Sequence, residues 1–304
     1  MGDTKSWKKH KGCLLDSEKG FDVIDCLTCG FKHIIPIPTF NELKSVYRHQ
    51  YYTLEKPLYL ERHREDLDWW NLVYSERYDI FEKELSLKHR MILDIGSGPG
   101  FFLLHGKQRG WETLGIEPSK KAAMHSKELG LNIREDFLTK KTAKQLGKFD
   151  VVHLSEVIEH ISDPKGLLCL VRSILNPGGL ICVVAPNDYN PFQYVLRKAC
   201  GFKPWWVAPP HHINYFDFDS LSKLLKNSGF KIISCEATFP IDIFLLMGDN
   251  YVNNEVLGRQ CHTKRKQFEL NLCKAGMKSI YKKLYQRLAE MKIGREIVVY
   301  GRKV

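Results

Sequence analysis

The chain has 304 residues, 43% of them hydrophobic, and a formal net charge of +11 at pH 7. That composition is ordinary for one large folded domain or two modest ones, and it excludes a disordered or collagen-like chain. The longest apolar runs, such as Leu180 to Ala185, fall far short of the ~20 residues a bilayer-spanning helix needs. The charged stretch Lys5 to Gly12 leads into no apolar core, so no membrane partner and a cytoplasmic location are expected.

The first segment carries His10-Lys11-Gly12-Cys13 and Cys26-Leu27-Thr28-Cys29-Gly30, two pairs of soft or borderline ligands, each with a two-residue gap, on either side of a hairpin-sized stretch. This is ribbon-like zinc spacing, and His10, Cys13, Cys26 and Cys29 would complete a tetrahedron around a structural Zn²⁺, with His33 a rival fourth ligand. A closed set of four leaves no open position for chemistry. The other cysteines are scattered, and most of them read as small buried hydrophobes. Residues 1–40 are thus expected to form a zinc-ribbon-like head. After the prolines of Ile35 to Thr39 comes a helical linker or lid over 41–88. It holds a helix near Asn41 to Tyr47, Tyr51 and Tyr52 in a loop, and a core-facing stripe of Leu67, Trp70, Tyr74, Tyr78, Phe81 and Leu85.

From Met91 strands and helices alternate. Strands are expected near 91–95, 112–116, 131–135, 149–154, 179–185, 231–236 and 296–301, with helices near 101–109, 119–129, 164–175 and 218–228. Repeated βα units imply a mainly parallel sheet covered on both faces, here over 89–304, with a cap at about 188–217 and a helical insertion at about 240–294. The loops after the strands deliver Gly96, Ser97, Gly98 and Gly100, then Glu117-Pro118, Asp136-Phe137, Ser155-Glu156 and Pro186-Asn187 to one edge. Glu117 stands roughly 20 residues past the glycines, where a carboxylate can accept both hydrogens of a ribose diol. The GxGxG spacing lacks the longer GxGxxG of dinucleotide sites.

LDIGSGPG, GIEPS, Asp136-Phe137, FDVVHLSEVIEHISDP and LNPGGLICVVAPN together resemble the ordered motifs of class I S-adenosylmethionine-dependent methyltransferases. The resemblance implies a Rossmann-like α/β fold, with seven strands and a reversed last hairpin made by the strands at 231 and 296. It implies further that Asp94 and the Gly96 to Gly100 loop hold the methionine end, Glu117 the ribose, and Asp136 with Phe137 the adenine. Pro118 and Ser155 border the same cofactor site. The cysteine pairs followed by a proline-containing linker also resemble bacterial sugar methyltransferases with a zinc-ribbon head.

Methyl transfer to a hydroxyl needs a proton acceptor, and histidine serves near neutral pH. The candidates are His153, His160, His211 and His212. If helical, Glu156, Glu159 and His160 share one face, and EVIEH resembles the metal-binding stretch of ubiquinone-biosynthesis O-methyltransferases, which would give a Mg²⁺ site. A scaffold role for the motif is the favoured reading. In Pro209-Pro210-His211-His212 the prolines stiffen the pair, and either histidine suits the base. The basic surplus, in the first dozen residues and from Arg259 to Lys303, favours an anionic partner, and the first reading is methyl transfer to an oxygen or nitrogen of an anionic small molecule such as a nucleotide-linked sugar or glycan precursor. The alternative is an RNA or protein acceptor held by the ribbon and the basic C-terminal region. Nucleic acid is the less favoured, because the ribbon lacks interleaved aromatic and basic residues. A homo-oligomer is compatible with either.

Overall fold

The computed structural model describes residues 6–45, 47, 58–86 and 88–304. Tyr51 and Tyr52, and part of the helix expected near 41–47, lie outside the described residues. In chain order the elements begin with β1 (Gly12–Glu18), β2 (Phe21–Cys26), β3 (Phe31–Ile35), α1 (Phe40–Ser45), α2 (Tyr59–Glu65) and α3 (Leu67–Glu84). The alternating region holds β4 (Met91–Ile95), α4 (Phe101–Gln108), β5 (Glu112–Ile116), α5 (Lys120–Glu128), β6 (Asn132–Arg134), α6 (Lys140–Ala143), β7 (Phe149–Ser155), α7 (Pro164–Ile174) and β8 (Leu175–Pro186). There follow α8 (Pro191–Cys200), β9 (Asn214–Tyr215), α9 (Phe218–Asn227), β10 (Phe230–Ala237), α10 (Asp242–Leu246), α11 (Glu255–Lys274), α12 (Lys278–Glu290) and β11 (Glu296–Lys303).

The seven-stranded sheet has the order β10-β11-β8-β7-β4-β5-β6. Strands β4, β5, β6 and β7 pair in parallel, and β11 is inserted between β8 and β10 as the expected last hairpin requires. Ile92, Leu93, Val151, Val152 and Ile181 to Ala185 are buried without alternation, the pattern of strands covered on both faces. Each such Val, Leu or Ile contributes roughly 1.5–3 kcal/mol by burial.

The chain divides into two compact units, one of Met1–Pro38, Val184–Leu224 and Ser234–Val299, the other of Thr39–Val183, Leu225–Ile233 and Tyr300–Val304. Within the first, a small antiparallel sheet runs β1-β2-β3-β9. Lys19 (φ 50°) and Gly20 (φ 80°) make the two-residue turn between β1 and β2, with left-handed backbone at both positions as the twist of a tight hairpin demands. Strand β9 had no sequence signal, since two residues carry no period. Helix α8 starts on a capping box, Asn190 with Gln193, has Pro191 in its first turn and stops at left-handed Gly201.

Within the second unit, the aromatic stripe from Leu67 to Phe81 lies on one helix, α3, which α2 precedes. Asp66 (φ −104°, ψ 14°) interrupts them while its N–H still donates to the carbonyls of Arg62 and His63. β8 starts at Leu175, before the expected 179, and takes in left-handed Gly178 (φ 71°).

Candidate active site

The second unit assembles the glycine loop and its carboxylate. Apolar β4 delivers Asp94, and the chain then turns through Gly96 (φ 71°), Gly98 (φ 52°) and Gly100 (φ 85°), backbone that L side chains rarely adopt. At Gly96 a Cβ would also lie 2.6 Å from the Val157 side chain, so the space is taken. The Gly98 N–H donates to Glu117 Oε2 at 2.8 Å, and the Ser119 N–H donates to Oε1 at 2.8 Å. Helix α5, capped by Ser119, holds the loop from behind, with Ser126 Oγ donating to Gly98 O at 3.0 Å and His125 Nδ1 bonded to Pro99 O at 2.9 Å.

Glu117 is 4% exposed, and burial raises its carboxyl to about 7 against the pull of the two amides, with the charge of Asp94 adding to the rise. Two of the roughly four lone-pair positions of a carboxylate are used by these amides, which leaves two for a vicinal diol. Ser97 Oγ is buried with no hydrogen-bond partner among the described residues. These features fit an adenosyl cofactor. Pro118 follows Glu117 directly. Asp136 Oδ1 accepts the Phe137 N–H at 2.9 Å, and the Phe137 ring meets Phe40 edge-on at 5.0 Å. Both are half-buried, as is Ser155 at the end of β7.

The base candidates fare differently. His153 is 1% exposed, with Nδ1 2.7 Å from Asp94 Oδ1 and Nε2 3.0 Å from Arg77 Nη1, so neither nitrogen is available to a substrate. Glu156 to His160 is not an α-helix: Glu156 is exposed with φ 52°, and Ile158 to His160 form a single 3-10 turn. Glu159 is buried, so the two glutamates do not share a face, and the premise of the Mg²⁺ site fails. His160 Nε2 lies 3.7 Å from Glu159 Oε1, and its ring lies 5.5 Å from that of Tyr47.

In the first unit, His211 and His212 are half-buried in a turn fixed by two backbone contacts. The His212 N–H donates to Ala208 O at 3.0 Å, and the Ala208 N–H donates to Tyr215 Oη at 3.2 Å. Two groups of this unit stand out, one unnoticed in the sequence and one named there only as a rival. Asp188, just past β8, is 1% exposed, and neither carboxylate oxygen makes a hydrogen bond among the described residues. Burial raises it to about 7, opposed in part by Arg295, 3.8 Å away. The chain signal was only a polar residue after a strand. The other is the rival candidate for a metal ligand.

That candidate is His33. His10, Cys26, Cys29 and His33 place one ligand atom each within 4.8 Å of one another. His10 Nδ1 is 3.0 Å from His33 Nε2, 3.4 Å from Cys29 Sγ and 3.7 Å from Cys26 Sγ. A tetrahedral zinc with ordinary bond lengths spaces its ligand atoms by about 3.3–3.8 Å, close to this set. His33 Nδ1 is bonded to Ile34 O at 2.9 Å, which puts its proton there and leaves Nε2 a lone pair. Cys13 is therefore not part of the group: it is exposed on β1, paired across the ladder with Asp25. Alternation along β1 aims it away, and His33 on β3 takes its place.

The sheet order, the left-handed glycine loop and the buried carboxylate after β5 define the class I methyltransferase fold. A family model described as a methyltransferase domain matches residues 71–235, more than half the chain, and the chain belongs to that family. A SAM-dependent methyltransferase from Archaeoglobus fulgidus superposes with a TM-score of 0.50 at 19% identity, covering 76% of this chain and 93% of that one. Among curated proteins, the ubiquinone biosynthesis O-methyltransferase of Histophilus somni is 35% identical over 101 residues, 30% of this chain and 42% of that protein. That of Caulobacter vibrioides is 33% identical over 127 residues, 40% of this chain and 50% of that protein. The chain thus spans about half the length of the curated relatives it matches.

Proposed function

We propose that the protein transfers a methyl group from S-adenosylmethionine to a hydroxyl of an anionic small molecule. The observation that carries the cofactor half is the Glu117 carboxylate, buried and pinned by the amides of Gly98 and Ser119 on the loop. The cofactor, when bound, supplies a methyl group activated by its sulfonium. The chain's own residues align the acceptor for in-line attack and remove its proton. We assign the loop and Asp94 to the methionine end, Glu117 to the ribose, and Asp136 with Phe137 to the adenine.

Proton removal we assign to His211 or His212, the hydroxyl proton passing to an imidazole nitrogen. Asp188 joins them as a carboxylate poised near neutrality. His160, beside buried Glu159, holds its loop. The cap over about 188–217 and the helices of about 240–294 form the acceptor side in this reading. The net charge of +11 supports an anionic acceptor, for which a nucleotide-linked sugar is our first choice. The relatives named as ubiquinone biosynthesis O-methyltransferases favour a second reading, a hydroxyl on an aromatic ring. For the His10, Cys26, Cys29 and His33 group we propose a Zn²⁺ that stabilises the head, because four protein ligands close the site to chemistry.

Incubation with S-adenosylmethionine and two panels, nucleotide sugars and dihydroxybenzoid compounds, tests the acceptor. A gain of one methyl group by a nucleotide sugar is the expected result. Methylation of the ring compounds alone would favour the second reading, and transfer to neither panel would overturn the small-molecule assignment.

A further inference from the structure

Asp94 lies beside His153 in the parallel pairing of β4 with β7, and the two side chains meet at 2.7 Å. On the far side of the imidazole stands Arg77, from α3, at 3.0 Å. All three are buried, at 4% exposure for Asp94, 1% for His153 and 5% for Arg77. The ring is also stacked on Phe102 with centroids 3.9 Å apart, which fixes its plane.

A guanidinium has only donors, so the His153 nitrogen facing it must accept. Nε2 therefore carries the lone pair, and the single proton sits on Nδ1, where it donates to Asp94 Oδ1. Burial, the largest influence, lowers the His153 pKa and keeps the ring in this neutral form. Asp94, ionised and able only to accept, keeps that proton on Nδ1 by itself, so removing the guanidinium leaves the tautomer in place but takes the donor from the buried Nε2. A ring that shifts to find another donor for Nε2 carries its Nδ1–H with it, and the carboxylate it holds moves as well.

We propose that Arg77, acting through His153, is a positioning residue that aims the Asp94 carboxylate at the ammonium of the methionine end of S-adenosylmethionine. His153 takes Oδ1, and the second oxygen is the one assigned to the ammonium. The inference rests on the reading of Asp94 as the group that holds that end. It makes a helix preceding β4 part of cofactor selection, without touching the cofactor.

The test compares two ligands by calorimetry on the full chain. S-adenosylhomocysteine has the amino-acid group, whereas 5′-methylthioadenosine keeps the adenosine and sulfur but lacks it. Arg77→Met is expected to weaken S-adenosylhomocysteine at least about tenfold, as loss of a charge-assisted hydrogen bond does, and to leave methylthioadenosine within about twofold. His153→Asn keeps a donor for Asp94 but removes the imidazole through which Arg77 acts, so adding Arg77→Met to it should cost little more, a coupling read from the double-mutant cycle. Equal weakening of both ligands by Arg77→Met, or an Arg77→Met effect as large in the His153→Asn background as in the wild-type chain, would overturn the proposal. Asp94→Asn separates the underlying reading: unchanged S-adenosylhomocysteine affinity there means that Asp94 does not hold the methionine end at all.

Discussion

The Gly98 amide and the Glu117 carboxylate are each other's partners at 2.8 Å, so the glycine turn and the group proposed to hold the ribose are one unit. Removing the carboxylate strands two buried N–H groups as well as losing the diol contact. Glu117→Ala should weaken S-adenosylhomocysteine on the order of 100-fold, the effect of two charge-assisted bonds, as read by calorimetry, with cofactor affinity lost before any effect on saturated turnover.

The same carboxylate gives cofactor binding a pH dependence. Ribose hydroxyls donate, so they bind the ionised form, and the free chain holds the proton up to about pH 7. Affinity for 5′-methylthioadenosine, which has no amino-acid group to titrate, should rise by up to about tenfold per unit from pH 5 toward 7 and level off above it. A flat profile over that range would remove Glu117 from the ribose.

Asp188 sets function against stability. A carboxyl raised in the folded chain from 3.8 to about 7 keeps its proton there while the unfolded chain has lost it. Its buried form therefore loses stability progressively as pH rises through that window. Asp188→Asn removes the cost of burying a charge, and should stabilise the ligand-free protein by about 2–4 kcal/mol at pH 8, with the gain fading toward pH 4. Thermal melts at the two pH values read this, and turnover should fall in the same variant.

For the metal, elemental analysis of purified protein should find one zinc per chain in wild type and in Cys13→Ser. His33→Ala should lose the ion to a mild chelator and melt at lower temperature. Loss of zinc from Cys13→Ser with retention in His33→Ala would restore the spacing-based ligand set.

For the base, His211→Ala and His212→Ala should leave S-adenosylhomocysteine affinity close to wild type. Turnover should drop by about 100-fold or more in whichever variant lacks the proton acceptor. Loss of cofactor binding in both would remove them from the acceptor side.

The sheet was legible because period and glycine punctuation are local. Asp94, Glu117 and the glycines could be placed because strand ends collect at one edge whatever the details. What escaped depends on partners far away in the chain. The choice between the two rival ligands is of this kind: β3 folds back beside β2 and brings His33 to His10, Cys26 and Cys29, while β1 turns Cys13 outward. Arg77 looked like one more charge between core aromatics, and only packing sets it against His153. A shared face for Glu156, Glu159 and His160 required a helix, but Glu156 takes left-handed backbone, a choice no side-chain pattern signals.

Strands β3 and β9 pair with His33 opposite Asn214, two residues past His212. A slip of one residue in such a ladder inverts every side chain on it. The register that seats His33 beside Cys26 and Cys29 is thus the register that delivers the histidine turn, and a Zn²⁺ held there as proposed would act as a gauge for the proposed acceptor side. Cellular zinc supply during synthesis would then decide what fraction of the chains is competent, before any substrate is met.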